Sequence, residues 1–279
     1  MSIPLSFRGL VDDAAIFPPG LAPLPAAVAD HAQHMRSEHA NLVGPLVVSA
    51  KDLPSVVALV TPSLYPDGLD LSVVVPDPEA IVPVVSHTSV GLLNLMAIEV
   101  KLDPKRSLPE QVRVAAEKRP SGVAVYVEAP RPGHAEWPAT AQAIARHGAR
   151  FKFRTGGTEA SAFPADLEVA TWIQTAVALD VPFKCTAGLH NAIRHTGGST
   201  GFEHHGYLNI LLATLRASRG AKLEDLVDVV AQRDPGAIAG EVKAAFPPDL
   251  LAARERFVSY GSCSIMEPLG DLADLGLLA

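Results

Sequence analysis

Two lysines and an arginine stand in stretches that otherwise look like buried strands. The segment FKFRTGG (151–157) places Lys152 and Arg154 two apart among apolar residues. Successive side chains of a strand alternate sides, so Lys152 and Arg154 share one face while Phe151 and Phe153 share the other. PFKCTAG (182–188) repeats the theme with Lys184 and Thr186 on one side and Cys185 opposite. Other apolar runs also carry ionisable groups late in the run. Asp12 and Asp13 close the first and point opposite ways, Glu99 and Lys101 share a face, and so do Tyr126 and Glu128.

Charges gathered in a low-dielectric site must pair, because a lone buried charge is very costly. A lysine beside another cation resists protonation. Its neutral amine can attack a carbonyl to form an iminium, which then acts as an electron sink. Arg154 suits a substrate carboxylate or phosphate through its bidentate fork. The backbone amides of TGG (155–157) and GSCS (261–264) offer an anion cradle. The competing reading, structural ion pairs, is weakened by recurrence in five separate runs.

Four histidines crowd one Gly-rich stretch, HNAIRHTGGSTGFEHHG (190–206). His190 directly follows the presumed seventh strand and reads as a substrate-binding or general acid/base residue. The alternative is a divalent metal held by His190, His204 and Asp13, although the spacing matches no ligand signature such as HExxH. His31, His34, His39 and His147 read as surface helix residues. Cys185 reads as a small buried hydrophobe, and Cys263 falls in the turn that would hold an anion. Trp137 and Trp172 read as packing residues.

The elements that must position these groups recur along the whole chain. Strand-like runs fall at 9–12, 43–50, 69–76, 94–102, 122–129, 150–156, 182–188 and 256–262, mostly separated by helical patterns. Near-continuous apolar runs fit parallel strands covered on both sides. Eight of them point to a closed (β/α)8 TIM barrel, one domain over residues 1–279, whose active site lies at the C-terminal strand ends. SLPE (107–110) predicts a capping box on Ser107, and Gly148 a helix C-terminus. Leu223, Leu226, Val227 and Val230 mark an apolar helix face. About seventy residues separate strands seven and eight, against about thirty for an ordinary βαβ crossover. They read as an elaborated loop followed by two or three helices.

A net charge of −7, with no basic stretch interleaved with aromatics, argues against nucleic acid. No apolar run is long enough to cross a bilayer, the opening MSIPLSFRGL lacks a signal-peptide core, and two cysteines make no disulfide framework. The expectation is a cytoplasmic protein with a small anionic molecule as its partner. No cofactor is expected outside the divalent-metal alternative, and homo-oligomerisation is left open.

These motifs resemble, in order, those of the deoxyribose-phosphate aldolases. ARFKFRTGG is similar to the family strand that carries the Schiff-base lysine, usually KTSTG. Lys152, Thr155 and Gly156 match it, while Phe153 and Arg154 depart. VPFKCTAGLHNAIR resembles the next strand, with Lys184 and Gly188 matching and Ala187 and His190 replacing a glycine and an arginine. SYGSCSIMEPL resembles the phosphate-holding turn through Gly261, Ser262 and Ser264. LVDDAAIFPP and VAVYVEAP match the family's aspartate and glutamate with Asp12 and Glu128.

The resemblance implies a class I aldolase-like lyase. Lys152 would be the nucleophile. Lys184 would depress its pKa and shuttle protons, and Glu99 or Asp103 would serve as general acid/base through a water. Thr155, Gly156, Gly157, Thr186 and Gly188 would line the anion site. Arg154 and the His-rich stretch have no family counterpart, so the substrate is expected to differ. Two rivals stand beside this reading: a metal-dependent hydrolase or lyase, and a barrel that binds an anionic metabolite without turning it over.

Overall fold

Runs such as PLVVS and LSVVV leave no polar face for water. Their β-branched residues fit a pleated surface packed on both sides. The computed structural model describes residues 2–89, 91–198 and 200–278. Eight strands close a parallel barrel: β1 (Val11–Asp13), β2 (Val43–Ser49), β3 (Leu69–Val75), β4 (Leu93–Val100), β5 (Ala124–Glu128), β6 (Arg150–Arg154), β7 (Phe183–Thr186) and β10 (Phe257–Ser262). Each pairs with its chain neighbour, and β10 pairs with both β7 and β1 to close the ring. Helices fill the connections, from α1 (Leu24–Met35) through α2 (Leu53–Leu59), α3 (Ile81–Thr88), α4 (Leu108–Glu117) and α5 (Trp137–Arg146) to α6 (Asp166–Ala178). This is the expected (β/α)8 barrel.

Outward-facing aromatics join strands to helices. Phe153 stacks on Trp172 of α6 at 5.0 Å, Phe151 meets Trp137 of α5 at 5.9 Å, and Phe183 packs on Phe153. Cys185 is buried on the same outer side, as its alternation with Lys184 requires. Burial pushes its thiol pKa up, against nucleophilic use.

The long excursion after β7 departs from expectation. It holds a two-stranded antiparallel ribbon, β8 (His195–Thr196) with β9 (Glu203–His204). Four helices follow rather than two or three: α7 (Tyr207–Ser218), α8 (Leu223–Ala231), α9 (Pro235–Ala244) and α10 (Pro247–Arg256). Helix α7 is buried along most of its length, and its Tyr207 stacks on Tyr260 of β10 at 5.0 Å. Asn209 pins the excursion by donating to the Val229 and Gln232 carbonyls and accepting from the Arg194 N–H. Helix α11 (Met266–Asp274) ends the fold.

Two local expectations are corrected. Ser107 precedes α4 but its side chain caps nothing. The Glu136 carboxylate accepts from the Leu108 N–H at 3.0 Å instead, and Glu110 pairs with Arg113. His31 is not a surface residue. It is buried on the apolar face that α1 forms with Ala27, Val28 and Ala32, and it contacts Asp13 at 3.0 Å. Gly148 does follow α5 with φ +64°, the left-handed turn glycine favours.

Candidate functional site

Alternation along the strands sends one set of charges inward at the C-terminal half of the barrel. Lys152 and Lys184 are in register on neighbouring strands, and both are 2 % exposed. Glu99 stands between them. Its Oε2 lies 2.9 Å from Lys152 Nζ and its Oε1 lies 2.5 Å from Lys184 Nζ. Lys184 also meets Asp12 Oδ2 at 2.5 Å, and Lys152 meets Glu128 Oε2 at 3.3 Å. Glu128 in turn takes the Arg154 fork, Nε at 2.9 Å and Nη2 at 3.4 Å. Three cations and three carboxylates thus form one continuous chain, Asp12–Lys184–Glu99–Lys152–Glu128–Arg154.

Electrostatics follow from this order. Burial would raise the Glu99 pKa, but Lys152 and Lys184 together hold it well below the ordinary carboxylate range. Burial opposes ionisation of Glu128 as well, and Lys152 and Arg154 outweigh it, bringing the pKa down to about 2. For Lys184, burial favours the neutral amine, yet Asp12 and Glu99 overcome that and push its pKa above the usual lysine value. Asp12 is the exception: burial dominates over Lys184, and its pKa rises. The expected direct repulsion between the lysines is therefore replaced by a shared carboxylate. Lys184 is held as a cation by two anions, Asp12 and Glu99.

Residues outside the expected list complete the arrangement. Ser72 donates to Glu99 Oε1 at 2.7 Å, and Ser259 donates to Asp12 Oδ2 at 2.9 Å. The Lys184 ammonium sits 5.5 Å from the Tyr126 ring centre. Gly44 makes room for Asp12, since a Cβ there would fall 2.3 Å from Asp12 Oδ1. The signal for Ser72 was a lone hydroxyl inside an apolar run, LDLSVVV, while Ser259 shares FVSYGS with Tyr260 and Ser262 and had no such mark. Nothing in one sequence marks Gly44 as Asp12's neighbour.

The cluster is the floor of a cavity of about 410 Å³ at the barrel mouth, where Glu99, Lys152, Lys184 and Arg154 all reach its surface. Exposed Lys101 joins them on the rim, and Thr186, Gly157, Gly261 and His190 complete much of the wall. Asp103 is not among them. Strand β4 ends at Val100, and Asp103 turns aside to accept from the Lys105 N–H.

Several expected anion-binding groups are engaged elsewhere. Thr155 donates to the Ala187 carbonyl at 2.7 Å. Gly156 and Gly188 pack backbone against backbone, and a Cβ on Gly156 would lie 2.8 Å from Gly188 Cα. Ser262 donates to the Ser264 carbonyl, and Ser264 Oγ accepts from the Glu267 N–H. Asp13 turns outward to His31, away from His190 and His204, so the alternative metal set is not assembled. Among the described residues no group of three ligating side chains could hold a metal ion.

Fold and site together define a (β/α)8 barrel with a buried lysine–carboxylate chain at the base of its mouth. No family model, curated protein or solved structure matches the chain.

Proposed function

We propose that this protein is a class I aldolase-like lyase that forms a Schiff base between Lys152 and a small carbonyl compound bearing an anionic group. One observation carries the reading: an amine, Lys152, buried among carboxylates yet lining an open cavity. The motif resemblance supports the same lysine.

Lys152 reacts as its neutral amine, having lost its ammonium proton to solvent in the cavity it lines. Its amine adds to the substrate carbonyl to give a carbinolamine, which loses water to leave an iminium. The C–C bond then breaks, and its electron pair enters the iminium to give an enamine. The proton of the departing β-hydroxyl passes to a carboxylate, for which Glu99 is best placed. Protonation of the enamine at carbon and hydrolysis release the second product and restore the amine. Lys184 acts as a positioning residue, keeping Glu99 ionised and fixed between the two ammonium groups. Lys101 and Arg154 supply positive charge at the wall for the substrate anion.

Enamine formation can be tested without knowing the natural substrate. Wild-type protein in deuterated water should exchange the methyl protons of pyruvate or the α-protons of dihydroxyacetone phosphate, followed by proton NMR. Lys152→Ala should abolish exchange. Exchange surviving in Lys152→Ala rules out the assignment. A barrel that only holds an anion would bind these compounds in both proteins and exchange them in neither.

A further inference from the structure

The ribbon excursion and the loop after β6 enclose a second cavity, of about 490 Å³. It adjoins the first, because Pro18, Gly157, Thr158, Ala187, His190 and Cys263 line both. Its character differs. No lysine or arginine lines it, and its one carboxylate belongs to Glu267. Its far wall is a run of rings. Phe163 meets Phe202 at 5.5 Å and His204 at 4.6 Å, and His204 stacks on His195 at 5.0 Å with 18° between planes. All four rings are half-buried.

The wall is built into the strand ends. Phe163 sits against the Gly156–Gly188 contact, where a Cβ on Gly156 would come 2.8 Å from Phe163 Cε1. The His204 ring is oriented by the Gly188 carbonyl at 3.3 Å, and the His195 ring by the Ile193 carbonyl at 3.0 Å. Partial burial lowers the His204 pKa, which favours a neutral ring there. An anion is poorly served in this chamber. It offers no lysine or arginine, the Ser262 hydroxyl is engaged by the Ser264 carbonyl, and Glu267 contacts His190 at 3.1 Å. The faces and edges of such a ring wall recognise flat groups through offset stacking and apolar burial.

We propose that this chamber is a second substrate subsite that binds an uncharged planar ring, aromatic or heteroaromatic. In the full substrate that ring is joined to the carbonyl that reaches Lys152. The ring preference stands on the chamber alone, and its link to the carbonyl rests on the Schiff-base reading.

Two measurements separate these parts. Indole, titrated by NMR, should bind wild type saturably, bind Phe202→Ala about tenfold more weakly, and bind Phe202→Tyr nearly as well as wild type. Borohydride trapping should then modify Lys152 with phenylpyruvate at a concentration about tenfold below that needed with pyruvate, an advantage lost in Phe202→Ala. Absence of saturable indole binding, or binding unchanged in Phe202→Ala, overturns the subsite. Phenylpyruvate keeping its advantage in Phe202→Ala overturns the link between the chambers. Indole binding as described, with no adduct from either acid, upholds the subsite and overturns the Schiff-base reading.

Discussion

Glu99 touches two ammonium groups and one serine hydroxyl at 1 % exposure, so removing its charge leaves three cations facing two carboxylates in the chain. Glu99→Gln should destabilise the protein by about 3–5 kcal/mol, the range for breaking a buried pair, as measured by urea unfolding. Loss below about 1 kcal/mol would mean that water already screens the pair. The inward residues Glu99, Glu128, Lys152 and Lys184 were legible because strand alternation fixes a side chain's direction once the strand is found, whereas alternation only put Asp12 and Asp13 on opposite faces and the motif resemblance singled out Asp12. The choice between Glu99 and Asp103 was not, since it turns on where β4 ends, and strand ends are poorly marked by sequence. His31 was misread for another reason: its residue type outweighed its position on an apolar face. The Gly44 contact with Asp12 joins two strands, so it appears only when β1 and β2 are laid side by side.

At the scale of elements, the eight barrel strands were legible from their β-branched runs, with ends shifted by at most two residues. The ribbon was not, because two-residue strands have no period to detect. Neither was the helix count beyond it, where PGAIAGEVKA alternates small and apolar residues without a clear stripe. The β6 and β7 exits depend on their glycines touching. Gly156→Ala should cost on the order of 2 kcal/mol, the scale of overpacking against backbone, and should shift the melting midpoint down. A variant as stable as wild type would show that the two exits separate without penalty. Phe163 rests on the same contact, so indole binding should weaken in this variant too.

For the whole molecule, the balanced charge chain ties folding to pH. Glu128 ionises far more readily in the fold than its ordinary value of 4.5 allows, near 2. A depressed carboxylate pKa stabilises the fold fully above the unfolded value and is lost as pH falls through the folded one. Unfolding free energy should therefore fall as pH drops from 4.5 to 2, with Glu128 contributing on the order of 2–3 kcal/mol. Asp12, raised by burial, works in the opposite sense and offsets part of that fall. Lys184, held above its ordinary 10.5, adds stability below that pH that is lost in stronger alkali. Glu128→Gln should be less stable than wild type at pH 7 and converge with it near pH 2; parallel curves would place the acid sensitivity elsewhere. The central claim concerns the chemistry of one amine in this chain, and borohydride reduction reads it directly. Wild-type protein incubated with pyruvate and reduced should gain the mass of one pyruvate-derived adduct on the peptide carrying Lys152, and Lys152→Met should gain none. An adduct on Lys184 or on surface lysines, with Lys152 unmodified, would contradict the account.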